Sequence, residues 1–189
     1  MKRLFLFLFL VFVSLIVFSQ SYLDSFSGTW VYEKNDTVFK VKLQKGKIIV
    51  YNNIVKSVLL GGYSLTVHGK LVEDYIKPIP DVFDTRDNHA DCGVYLWTTL
   101  NPDNSNEVGF VFYDMKKKHI FGKGLPANVM TLLSPDKLHW KLNEKEGVWM
   151  MLEGGPYYDA SEEEERRWDE ARKLRGFSVP DDVIMIKEE

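Results

Sequence analysis

The feature that most constrains this chain is an apolar/polar alternation of period two, recurring in short runs between turn residues. Phe39, Val41 and Leu43 fall on one side of a run and Lys40 and Lys42 on the other. That is the pattern of a half-buried β-strand, because successive side chains of a strand point to opposite faces. Ile48 to Tyr51 reads as its partner, across a turn at Gln44 to Lys47 that contains Gly46. Asn52-Asn53 turns the chain again, and Gly61-Gly62 interrupts the next run. Leu65 and Val67 then alternate with Thr66 and His68, and Leu138, Trp140 and Leu142 with His139 and Lys141. Val94 to Thr99 and Val108 to Tyr113 are apolar on both faces, as covered strands are. Val148 to Leu152 and Val183 to Ile186 complete about nine to ten short strands, spaced as in barrels and sandwiches. The segment Ile76 to Asp91 is the longest irregular piece.

One helix interrupts this all-β pattern. Ser161 followed by Glu162, Glu163 and Glu164 is a capping box. The acidic run sits at the positive end of the helix dipole, and Lys173 and Arg175 at the negative end. The pattern predicts a helix over about 162–175, with Gly176 ending it and Trp168, Ala171 and Leu174 as its narrow apolar stripe.

The first residues read as an export signal. Lys2 and Arg3 precede the apolar run Leu4 to Phe18, which is shorter than the ~20 residues a spanning helix needs. Cleavage before Gln20 leaves a single domain over 20–189, exported to the periplasm or secreted, with no further membrane span. The chain has 189 residues, enough for one core without disulfides, and Cys92 is its only cysteine. Loss of Lys2 and Arg3 leaves 22 basic against 27 acidic residues, a balance that disfavours nucleic acid as a partner.

The opening Ser27-Gly28-Thr29-Trp30 carries a Gly-x-Trp element leading into the first strand, with the usual family spacing relaxed by one residue. With the antiparallel meander, the late helix and the closing strand, it resembles the lipocalin-like β-barrel plan. The signal end Phe18-Ser19-Gln20 and the closing Phe177-Ser178-Val179-Pro180 are similar to those of uncharacterised exported proteins of flavobacterial-type Gram-negative bacteria. The resemblance implies a lipocalin-like β-barrel, or else a β-sandwich, and an exported location. It implies no reaction.

No motif commits the chain to catalysis, and the expectation is a non-enzymatic protein with no cofactor. Asp84, Asp87, His89 and Asp91 crowd one loop, but without a known metal-binding spacing they read as a polar loop, and no metal is expected. Cys92 near His89 lacks the third member a nucleophilic site needs; it reads as a small hydrophobe at a strand start. His68, His119 and His139 read as half-exposed strand residues, and Lys116 to Lys118 as a solubilising hairpin tip. Aromatic residues make up 14% of the chain. Within a barrel, Trp97, Trp140 and Phe110 are the candidates to contact a small apolar ligand held near an open end beside the 76–91 loop. An envelope structural or interaction module is the alternative, and glycan binding or a hydrolase using the acidic loop are lesser ones.

Overall fold

The computed structural model describes residues 22–99, 106–152, 161–171, 173 and 175–188. The expected export signal and Leu174 of the expected helix stripe lie outside those residues.

Ten strands form one sheet: β1 (Gly28–Lys34), β2 (Thr37–Val50), β3 (Ile54–Val67), β4 (Lys70–Asp74), β5 (Val82–Asp84), β6 (Leu96–Thr99), β7 (Glu107–Phe112), β8 (Leu125–Ser134), β9 (Lys137–Lys141) and β10 (Asp182–Lys187). Eight of them close into a barrel in the order β3-β6-β7-β8-β9-β10-β1-β2, with β2 pairing back onto β3. β4 adds to β3, and β5 lies parallel to the far half of β2 at the register Ile48↔Phe83. All other pairings are antiparallel. The first strand and the closing strand stand where the sequence puts them.

The alternation divides the barrel wall into two faces. Phe39, Val41 and Leu43 of β2 and Leu59, Tyr63 and Leu65 of β3 point inward to meet Phe110, Phe112, Met130, Leu138 and Trp140. Ile48, Val58 and Leu60, of opposite parity, point outward. They are covered by Phe83 and Val94 of the 76–95 segment, with Ile79, Cys92 and Trp97 packed alongside. The long irregular segment is therefore a strap that builds a second small core on the outside of the barrel.

Three expectations need correction. Gly46 lies inside β2, which runs unbroken to Val50, so the turn between β2 and β3 falls at 51–53, where Asn52 and Asn53 take positive φ. Gly61 and Gly62 do not break β3 either. A Cβ on Gly61 would come 2.6 Å from the Lys42 carbonyl oxygen and one on Gly62 2.1 Å from that of Tyr75, so both positions serve close backbone approach. Val148 to Leu152 is the end of a helix, Glu144–Leu152, not a strand. A short apolar run is ambiguous by periodicity; here Asn143, whose side-chain oxygen accepts from the Glu146 amide at 3.2 Å, starts the helix instead.

The helices are numbered α1 (residues 22–26), α2 (His89–Cys92), α3 (His119–Gly122), α4 (Glu144–Leu152) and α5 (Glu162–Ala171). Ser161 immediately precedes α5, as the capping box requires, but α5 ends at Ala171, before Gly176. Among the described residues no helix is long and apolar enough to cross a membrane.

Candidate functional site

The barrel ends differ. At the end where β1 starts, α1 is a plug: Leu23 and Phe26 are buried in the core, and the Trp30 indole N–H donates to the Phe26 carbonyl at 2.7 Å. At the opposite end, where β6, β8 and β10 begin, the chain gathers ionisable groups instead.

Asp114, just past β7, is buried. Its carboxylate accepts from the backbone amides of Lys116, Lys117 and Ser178 and from the Ser178 hydroxyl, at 2.6 to 3.0 Å. Glu144, at the start of α4, accepts from the amides of Arg175 and Gly176, both at 2.7 Å. It also meets His119 Nε2 at 2.6 Å, and that nitrogen lies 3.1 Å from the Gly176 carbonyl oxygen. Burial works to raise the Glu144 pKa, but the Arg175 and Gly176 amides and His119 outweigh it and hold the carboxyl below its usual range. Two carboxylates and an imidazole thus clamp residues 175–178 onto the barrel end. His119 is buried in α3 rather than half-exposed on a strand, and its Nδ1 has no hydrogen-bond partner among the described residues.

β4 shows the same departure from apolar sealing. Its one buried residue is Glu73, while Leu71 and Val72 face solvent. The Tyr63 hydroxyl donates to Glu73 Oε2 at 3.1 Å and accepts from the Met115 amide at 3.1 Å; Glu73 Oε1 has no partner among the described residues. Burial, then the neighbouring carboxylates Glu73 and Asp114, push the Tyr63 phenol well above its ordinary range.

Between this clamp and the strap opens a cleft of about 380 Å³, lined by Asn88, His89, Tyr113, Asp114, Met115, Lys118, His119 and Lys123 among others. His89 lies flat on Tyr113, with ring centroids 3.8 Å apart and 15° between planes. Its Nε2 is 3.4 Å from the Met115 sulfur. Burial lowers the His89 pKa, with Asp91 opposing, so this imidazole favours the neutral form at pH 7. Gly124 lets the backbone approach the Tyr113 ring closely: a Cβ there would stand 2.8 Å from it.

The three aromatic candidates separate. Trp140 and Phe110 meet inside the barrel, with ring centroids 4.6 Å apart. Trp97 belongs to the outer core, and its indole N–H reaches the Tyr113 hydroxyl at 3.4 Å, which ties it to the rear of the cleft. Inside, Trp140 also packs on Phe39 (5.5 Å) and Phe112 (5.5 Å), and Tyr63 joins Phe112 (5.1 Å) to Phe39 (6.3 Å). Four rings from β2, β9, β7 and β3 thus form a circuit across the barrel.

The acidic loop residues go separate ways. Asp84 is held by Arg86, whose side-chain and backbone hydrogen bonds bring its pKa down to about 2. His89 turns to Tyr113. Among the described residues no three His, Cys, Asp or Glu side chains stand close enough to share a metal ion. Cys92 lies on α2 rather than at a strand start and packs with the outer core. Burial, with Asp87 and Asp91, raises its thiol pKa, which works against thiolate reactivity. His68 is exposed in the turn after β3, and His139, on β9, contacts Asp182 at 2.6 Å.

Tyr113, Met115 and Lys123 line the cleft without having been singled out in the sequence, and Lys118 and His119, read there as a hairpin tip and a strand residue, line it too. The available signal was the sequence Tyr113-Asp114-Met115, polar and flexible side chains directly following an apolar strand.

Comparison with known proteins adds a family and no activity. The model of DUF6705, described as a family of unknown function, matches residues 1–188. No curated protein and no solved structure matches the chain significantly.

Proposed function

For this chain, which belongs to DUF6705, a family of unknown function, we propose a non-enzymatic binding module, exported from the cytoplasm, that uses the rim of its barrel and not the interior. The observation that carries the reading is the ring circuit Phe39–Trp140–Phe112–Tyr63, in which side chains of the paired strands β2 and β3 meet those of β7 and β9 across the barrel interior. Close-packed aromatic rings occupy the space that an apolar carrier keeps for its ligand. The rim cleft, by contrast, is open and mixes two imidazoles, a phenol, a thioether, a carboxylate and two lysines. A few convergent polar groups in a concave setting are what a small polar ligand requires. The apolar run Leu4 to Phe18 behind Lys2 and Arg3 supports export.

The test is amide NMR on the folded protein against a library of small polar and apolar fragments. Shifts clustered at Asn88, His89, Tyr113, Lys118 and Lys123 support the rim. Saturable shifts clustered at Trp140, Phe110 and Met130 would instead establish an interior apolar site.

A further inference from the structure

His89 and Met115 come from elements far apart in the chain, α2 and the segment after β7, yet the fold brings one ring nitrogen and one thioether sulfur to 3.4 Å on the lining of the cleft. As a hydrogen bond this is a poor use of a partly buried imidazole, because a thioether is a weak acceptor. As a pair of metal ligands it is well spaced. Metal bonds of about 2.0 Å to imidazole nitrogen and about 2.3 Å to sulfur place one ion between them at an N–metal–S angle of about 104°, given the observed separation of 3.4 Å.

We propose that His89 and Met115 form a chelating pair for a soft monovalent metal ion, Cu(I), at the rim cleft. The donor set selects the metal. Thioether sulfur prefers Cu(I), whereas Ca²⁺, Mg²⁺ and Mn²⁺ demand oxygen ligands. Zn²⁺ sites are built from thiolates, imidazoles and carboxylates, and no cluster of three such groups stands among the described residues. Lys118 and Lys123 line the cleft against the one carboxylate of its lining, Asp114, a balance that opposes a divalent ion more strongly than a singly charged one. The imidazole is ready to bind. It is stacked on Tyr113 at 3.8 Å, which fixes its plane with Nε2 toward the Met115 sulfur. Binding requires only the tautomer with the proton on Nδ1. Because both ligands line an open cleft, the remaining coordination position is accessible to solvent or to an incoming donor.

The inference shares the cleft with the rim reading but does not depend on an organic ligand binding there, so fragment NMR and metal titration fail separately. The experiment is anaerobic titration of the purified protein with Cu(I) under ascorbate, in competition with bicinchoninate. One Cu(I) per chain withheld from the chelator is expected. Met115→Leu, which keeps the volume of the side chain, should weaken that affinity at least tenfold with an unchanged melting temperature, and Cys92→Ser should leave it intact. Ag(I) should shift the Met115 methyl resonance. Failure to withhold Cu(I) from bicinchoninate overturns the proposal. So does undiminished affinity in folded Met115→Leu and His89→Gln, or loss of binding in Cys92→Ser alone.

Discussion

The two ends of the barrel are sealed by opposite chemistry. At the α1 end, Leu23 and Phe26 close the core with apolar surface, and the buried polar links are hydroxyl and indole donors on backbone carbonyls, Tyr22 on Glu107 and Trp30 on Phe26. At the cleft end, closure depends on Asp114, Glu144 and His119 holding residues 175–178, and on Glu73 beneath Tyr63. An apolar plug needs no particular partner; it contributes through the area it buries. A polar clamp works only while every member is paired, and an unpaired buried group costs roughly 1–3 kcal/mol. Both buried side-chain atoms without a partner among the described residues, Glu73 Oε1 and His119 Nδ1, belong to the polar end. Local rules of patterning are broken there and kept at the other end, which is the distribution expected when one end carries function.

The contrast can be broken from either side. Phe26→Ala removes a fully buried ring from the plug and should cost about 3–5 kcal/mol, measured by urea denaturation. A loss below about 1 kcal/mol would mean that α1 does not seal the core. Asp114→Ala should cost somewhat less, about 2–3 kcal/mol, by stranding the amides of Lys116, Lys117 and Ser178. It should also expose the Phe177–Val179 segment to protease, which Phe26→Ala should not do.

The smallest effect is a pH dependence. The Glu144 carboxyl is held below the ordinary value of 4.5 in the folded state. Its contribution is therefore complete above that value and is lost as the pH falls through the lower, folded pKa. Wild type should lose stability on acidification below about pH 4.5 more steeply than Glu144→Gln does. Parallel acid profiles would show that the clamp does not depend on the charge of Glu144.

Much of the barrel was legible because its information is local. The period-two runs at Phe39–Leu43 and Leu138–Leu142 state which side chains face inward, and the Asn52-Asn53 turn stands where its residues indicate. Gly46, Gly61 and Gly62 misled because a glycine signals either a turn or a close approach. Which of the two applies depends on a strand or strap distant in sequence, as with the Tyr75 carbonyl against Gly62. Val148 to Leu152 misled because five apolar residues fit a strand and a helix equally well, and Asn143 decided between them. The site was largely illegible. The sequence separates His89 from Met115 and His119 from Glu144 and Gly176 by 25 or more positions, and only barrel closure brings them together. Trp97 and Trp140 look alike as strand tryptophans; their parity relative to the barrel wall places one outside and the other at its centre.

The central claim is that the barrel is a solid scaffold and that binding belongs to its rim. The direct measurement is a titration with a hydrophobic fluorescent probe, following tryptophan quenching in wild type and in Phe110→Ala. That substitution removes the ring 4.6 Å from Trp140 and should cost about 3–5 kcal/mol while opening an apolar cavity. Wild type should show no saturable quenching of Trp140, and Phe110→Ala should take up the probe one to one. Saturable one-to-one binding by wild type, weakened by Trp140→Ala in a protein that remains folded, would contradict the account.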